Sequence, residues 1–160
     1  ELRYGMRTFS GVDRRFDFKI KTPQLVFLSD YAHHPKEIYE SARSLRLLYR
    51  DRHITAIFQP HLYSRTRDFY REFAEALSQL DEVILTEIYP ARELPIEGVT
   101  SQLIYDNLAP NVQKQLVSKD EVMPLVKSRT FDVLVVLGAG DLDEQVPLMK
   151  KVLEKSLLKS

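Results

Sequence analysis

The sequence predicts an α/β fold, a mainly parallel sheet with one antiparallel edge hairpin and helices on both faces. Three observations carry this reading. Strand-like and helix-like patterns alternate along nearly the whole chain. The central strand candidates, Val133–Leu137 above all, are continuous apolar runs of the kind buried on both faces. No repeat, low-complexity tract or Gly/Ser linker divides the 160 residues, which suits one domain.

Glu1–Arg15 is polar and basic and reads as an irregular leading segment. Its first residue is Glu rather than Met, as in a fragment of a longer protein. Phe16, Phe18 and Ile20 alternate with charged residues as a half-buried strand does. Thr22–Pro23 then turns the chain into the apolar run Leu25–Leu28, completing the edge hairpin. Ser29–His34 is a polar loop, and Pro35 suits the first turn of a helix, where its missing N–H costs nothing. Ile38, Ala42, Leu45 and Tyr49 predict an amphipathic helix from His34 to about Arg50.

Ile54–Phe58 is the next strand and Gln59–Thr66 the next loop. Phe69, Phe73, Leu77 and Leu80 mark a second helix, with Thr66 as its N-cap and Asp68 in its first turn. Val83–Ile88 reads as a strand and Tyr89–Thr100 as a long loop. Leu103, Ile104 and Leu108 mark a helix, and Gln115–Val117 a short strand. Val122–Val126 sits in a short helix offset by Pro124. Val133–Leu137 is a strand, and Val146, Met149, Leu153 and Leu157 mark a final helix.

Composition narrows the function. Lys plus Arg and Asp plus Glu both total 23, and this zero net charge disfavours generic nucleic-acid binding. The absence of cysteine excludes disulfides, cysteine-ligated zinc, Fe–S clusters and thiol catalysis. No apolar run approaches the roughly 18 residues that span a bilayer. There is no GxxxxGK[ST] phosphate loop and no GxSxG elbow.

Ligands of open α/β sheets sit beyond the C-terminal strand ends. Here those ends carry Ser29–His34, Gln59–His61, Glu87–Tyr89 and Gly138–Asp141, where the unusual polar residues concentrate. Asp30, Tyr31, His33 and His34 place a carboxylate, a phenol and two imidazoles before a helix start, a position that favours anions. Asp30 could accept bonds from a ribose diol; the plain alternative is a capped turn with solvated histidines. Adjacent histidines raise a metal question, but no HExxH pattern exists and no dedicated metal site is expected. His61, Arg65 and Arg67 open the second helix, and arginine forks bind carboxylates and phosphates. The plain reading, a solvated basic turn, suits Arg67 best. Gly138–Ala139–Gly140–Asp141 begins like a dinucleotide fingerprint, but Asp143 stands at the third glycine position, so a sharp turn is the simpler use.

Taken together, five motifs in order resemble the C-terminal domain of the Mur ligase family. They are Gly11–Val12–Asp13–Arg14–Arg15–Phe16, then Asp30–Tyr31–Ala32–His33–His34–Pro35, then Phe58–Gln59–Pro60–His61 with Ser64–Arg65–Thr66. Tyr89–Pro90–Ala91 with Pro95–Ile96 and Gly138–Ala139–Gly140–Asp141 come after them. The resemblance covers nearly the whole chain, and the Phe-Gln-Pro-His stretch points to the alanine-adding branch. It implies a Rossmann-like domain over residues 1–160, with residues 1–15 leading in from a central ATPase domain. It further implies a cytoplasmic ligase that joins L-alanine to UDP-N-acetylmuramate in peptidoglycan synthesis, using ATP and Mg²⁺ through an acyl phosphate. On this resemblance Arg15 and Asp30 are the catalytic and ATP-binding residues. Tyr31, His33, His61 and Arg65 receive L-alanine, and no metal ligand lies in this domain. The UDP-sugar is held mostly by domains outside this chain, so the chain alone is expected to be inactive and to bind no cofactor tightly. Leu62 departs from the pattern, standing where some members carry arginine. The competing expectation is a stand-alone Rossmann-like module that uses Gly138–Gly140 to bind a nucleotide without chemistry.

Overall fold

The computed structural model describes residues 15–160. The leading segment apart from Arg15, and with it Gly11–Arg14 of the first motif, lies outside the described residues.

Six strands form one sheet in the order β1-β2-β6-β3-β4-β5. They are β1 (Asp17–Lys21), β2 (Val26–Asp30), β3 (Ile54–Phe58), β4 (Glu82–Leu85), β5 (Gln113–Leu116) and β6 (Val133–Leu137). β1 pairs antiparallel with β2 through a turn in which Thr22 N–H reaches Leu25 C=O at 2.9 Å, and every other pair is parallel. The expected mixed sheet with a single antiparallel edge is therefore present. The register sets the strand ends side by side. Asp30 pairs with Leu137, Leu137 with Phe58, and Phe58 with Leu85, so four adjacent strands end level.

Among the described residues, five helices cover the sheet: α1 (Pro35–Leu48), α2 (Tyr63–Leu77), α3 (Gln102–Asn107), α4 (Lys119–Ser128) and α5 (Val146–Leu158). Side chains of a strand alternate between faces, and the core divides accordingly. Leu28, Ala56, Phe58 and Val135 join Ile38, Leu45, Phe73, Leu77 and Ile104 under α1, α2 and α3. Phe27, Ile57, Leu134 and Val136 join Val122, Val126, Met149 and Leu153 under α4 and α5. Helices lie on both faces, as the apolar runs required.

Two local expectations are corrected. The second helix starts at Tyr63, not after Thr66; Leu62 takes its N-cap position with φ of 75°. Thr66 is buried inside the first turn and donates its hydroxyl to Leu62 C=O, while Asp68 pairs with Arg67. β4 ends at Leu85 rather than Ile88: Thr86 N–H makes the last ladder bond, to Phe58 C=O, and the chain then bends toward Pro60, which accepts Tyr89 N–H. The α4 helix runs through Pro124 for ten residues, started by Ser118 and Glu121 in a capping box. An unexpected 3₁₀ turn spans Asp141–Gln145.

At the opposite end of the sheet, Glu82 is buried and accepts two bonds from Arg129 (2.8 and 2.7 Å) and one from Thr55 (3.0 Å). Burial works against its charge, but these donors outweigh burial and hold its pKa below the usual glutamate value. A depressed folded pKa contributes stability that is full at neutral pH and is lost as pH falls through the folded value. Urea unfolding at stepped pH is therefore expected to show wild type more stable than Glu82→Gln at neutral pH, with the gap closing below the ordinary value of 4.5. A gap that stays constant with pH contradicts this.

Candidate functional site

The level strand ends make a ledge, and Gln59 organises it. Gln59 follows β3 directly and is buried. Its N–H donates to Leu137 C=O, its Nε2 donates to Asp141 Oδ1 at 2.8 Å, and its Oε1 accepts Leu142 N–H at 2.9 Å. One side chain thus ties β3 to the segment after β6. The two glycines of that segment make this contact possible. A Cβ at Gly138, where φ is +134°, lies 2.7 Å from the Gln59 carbonyl oxygen; a Cβ at Gly140 overlaps the Gln59 side-chain amide and sits 2.9 Å from Tyr89 Cβ. The turn is filled by protein rather than left open as a phosphate cradle. Asp141 also pairs with Lys119 at 2.5 Å; its burial opposes charge, and Lys119 and Gln59 overcome that and keep its pKa low.

Asp30 ends β2 on the same ledge. Its carbonyl accepts Gly138 N–H, its Oδ1 accepts Ala32 N–H at 2.9 Å, and its Oδ2 accepts the Ser41 hydroxyl from α1. Only 5% exposed, it has a pKa raised by burial, against the opposing pull of Ser41, Ala32 and Arg15. It lines a concavity of about 250 Å³ together with Arg15, Lys36, Glu37 and Ser41. Arg15 is exposed and forms an ion pair with Glu37 in the first turn of α1.

The remaining candidates form a row of rings. Tyr31 meets His33 edge-on at 5.3 Å, His33 meets His61 at 5.9 Å, and His61 stacks on Tyr89 at 5.6 Å. His61 pairs with Tyr89 as an isolated parallel bridge, and Leu62 N–H reaches Tyr89 C=O, so the loop after β4 holds the loop after β3. Glu93 completes this by accepting from both the backbone and the hydroxyl of Ser64 at the start of α2. In the first turn of α2, Arg65 Nη1 lies 3.0 Å from His61 Nδ1. A guanidinium can only donate, so Nδ1 is the acceptor and the ring proton sits on Nε2. Desolvation lowers the pKa of His61, and Arg65 and then His33 lower it further; the same three causes in the same order lower that of His34. Both imidazoles are neutral at neutral pH.

The fold therefore brings Arg15 and Asp30 into one concavity, and Tyr31, His33, His61 and Arg65 into an adjoining row. Arg67 stays outside, exposed and paired with Asp68. Sequence pattern alone assigns no role to Gln59, Glu37, Tyr89 or Glu93. Glu37 carries one legible signal, an acid three residues after the helix start at His34. Among the described residues, one group offers three close metal-ligand atoms: His33, His34 and Glu37, all within 4.8 Å of one another. Arg15 already occupies the Glu37 carboxylate and Arg65 adds positive charge beside His34, so the surroundings favour anions over a cation. No helix among the described residues is long and apolar enough to cross a membrane.

Comparison with known proteins gives a consistent picture. The family profile "Mur ligase, glutamate ligase domain" matches residues 14–140. The chain is 59% identical over 155 residues to the UDP-N-acetylmuramate–L-alanine ligase of Phocaeicola vulgatus, covering 97% of this chain and 34% of that protein. It is similar in structure to the UDP-N-acetylmuramate–alanine ligase of Thermotoga maritima, with a TM-score of 0.68 and 25% identity over 92% of this chain and 30% of that one. A domain of a putative ligase from Haemophilus ducreyi shares the fold at a TM-score of 0.60 and 23% identity, covering 87% of this chain and 99% of that one. The chain spans about a third of the length of the curated relatives it matches.

The histidine electrostatics are directly measurable. In Arg65→Ala, the pKa values of His61 and His34 are both expected to rise toward 6.5, since a repelling charge is gone. Imidazole NMR titration of wild type and variant checks this; unchanged midpoints contradict the Arg65–His61 geometry.

Proposed function

From the premise that this chain belongs to the Mur ligase family, as its C-terminal domain, we propose that it is the amino-acid-receiving part of an ATP-dependent ligase. That ligase joins L-alanine to UDP-N-acetylmuramate in peptidoglycan synthesis. The observation that carries this reading is the adjacency of two cationic stations on one ledge, Arg15 beside the Asp30 concavity and Arg65 beside His61. The identity to alanine-adding relatives supports the choice of substrate.

The proposed chemistry begins on the muramate carboxylate, a poor electrophile. Its oxygen attacks the γ-phosphorus of ATP, ADP leaves, and an acyl phosphate forms. The L-alanine amine then adds to the carbonyl carbon, phosphate departs from the tetrahedral intermediate, and the amine proton is lost to give the amide. In this scheme the exposed Arg15 guanidinium meets phosphate oxygens when the rest of the protein closes over the ledge. Asp30 uses one lone pair of each oxygen internally and retains another for a ribose hydroxyl. Arg65 pairs with the L-alanine carboxylate, a charge-assisted fork contact. His61 offers its Nε2–H, and because it is neutral it does not repel the amino group. Tyr31 and His33 wall the pocket. Closure keeps water from the acyl phosphate.

Mg²⁺ would shield phosphate charge, but it is a hard cation that takes oxygen ligands. His33, His34 and Glu37, flanked by arginines, fit it poorly, so its ligands are assigned to the remainder of the full-length protein. The packing of Gly138 and Gly140 against Gln59 argues against the alternative of a simple glycine-turn nucleotide module.

Steady-state kinetics of the full-length protein test this. Arg65→Ala is expected to raise KM for L-alanine by about 100-fold, as loss of a charge-assisted pair of roughly 3 kcal/mol implies. Arg15→Ala and Asp30→Ala are each expected to lower kcat/KM by orders of magnitude, and near-normal turnover in both overturns the assignment. The chain by itself is expected to release no phosphate with ATP, UDP-N-acetylmuramate and L-alanine; steady release refutes that expectation.

A further inference from the structure

We propose that Glu37 is a positioning residue that locks the phosphate-facing station of the ledge to its amino-acid-facing station. This inference rests on the proposed ligase function and assigns a role to a residue that function does not otherwise use. Glu37 projects from the first turn of α1, and its side chain is only 19% exposed. One carboxylate oxygen accepts Arg15 Nη2. The other accepts His34 N–H at 3.2 Å and lies 3.8 Å from His33 Nδ1. A single carboxylate thus gathers the segment before β1, the loop after β2 and the start of α1.

The Arg15 side chain is 60% exposed, so without an anchor its guanidinium samples many rotamers. The Glu37 ion pair restricts it to the mouth of the concavity that Asp30 floors, removing ordering cost before a phosphate arrives. On the other side, His33 is held by Tyr31 C=O at 3.0 Å and by proximity to Glu37, and its ring touches His61, which Arg65 orients. A shift of Glu37 therefore reaches both stations. Its substitution should separate them by chemistry. Glutamine keeps an oxygen for His34 N–H but loses the charge that holds Arg15, whereas alanine loses both.

The test is a mutant cycle in the full-length ligase, measuring kcat/KM for ATP and for L-alanine, with thermal midpoints as a check on folding. Glu37→Gln is expected to lower kcat/KM for ATP about tenfold, the scale of coupling between two residues in contact, and to leave that for L-alanine within about twofold. Glu37→Ala is expected to lower both. In an Arg15→Ala background, Glu37→Gln should have no further effect on ATP, a non-additivity that general destabilisation does not produce. If Arg15→Ala is impaired while Glu37→Gln is normal, or if the two losses multiply in full, the positioning role is overturned. If Arg15→Ala itself turns over normally, Arg15 has no role for Glu37 to position and this inference is overturned; if Asp30→Ala does so as well, the proposed ligase function falls with it. Should Glu37→Ala not fold, the near-isosteric Glu37→Gln still decides.

Discussion

The Gln59 amide is the contact on which the ledge depends. It stands where β3 ends and reaches across to the segment after β6, donating to Asp141 and accepting from Leu142. Parallel strands ending level do not by themselves fix the loops that leave them, since ladder bonds stop at the last residue. Gln59 supplies the missing constraint in a buried setting, where an unsatisfied amide is costly and a satisfied one specifies a single arrangement. The steric demand at Gly138 and Gly140 is the other half of the same constraint, because only a backbone without Cβ approaches this closely. Asp30 joins through Gly138, and the His61 loop joins through Tyr89, which packs against Gly140.

Charge is distributed unevenly on this frame. The opposite end of the sheet closes its charges internally, Glu82 with Arg129, Asp81 with Arg46 and Asp132 with Arg52. Such pairs hold strand starts together and offer little to a ligand. At the ledge Arg15 is exposed though paired with Glu37, and Lys119 is closed by Asp141, whereas Arg65 donates to a neutral imidazole, so the Arg65 charge is left for an incoming anion. The imidazoles stay uncharged there because desolvation and Arg65 both disfavour their protonation. The result is an anion-favouring surface whose cationic groups are the arginines.

Much of the fold was legible because burial leaves a direct mark on composition. Ile54–Phe58 and Val133–Leu137 are buried at every position, and their observed limits match the apolar runs. The start of α2 was not legible. Its cap partner is Glu93, 29 residues away, and Thr66, a good N-cap by type, is used inside the helix instead. The 3₁₀ turn at Asp141 was hidden for the same reason, since it is held by a residue more than 80 positions earlier. At the ledge, residue types at strand ends were enough to single out Asp30, Tyr31, His33, His61 and Arg65. Gln59 appears in sequence only as a member of the Phe58–His61 motif and Glu37 only as an acid at a helix start, and neither setting tells what the side chain does. Their importance lies in partners distant in sequence, Asp141 and Leu142 for Gln59 and Arg15 for Glu37, that local pattern does not encode.

Whether two anion stations share one ledge is decided by a crystal structure of the full-length protein with UDP-N-acetylmuramate, L-alanine and a non-hydrolysable ATP analogue. The L-alanine carboxylate is expected on the Arg65 guanidinium and the terminal phosphate facing Arg15, both beyond the C-terminal ends of β2, β3 and β6. Either ligand bound at the opposite end of the sheet, beside Glu82 and Arg129, or Arg65 turned away from the amino acid, contradicts it.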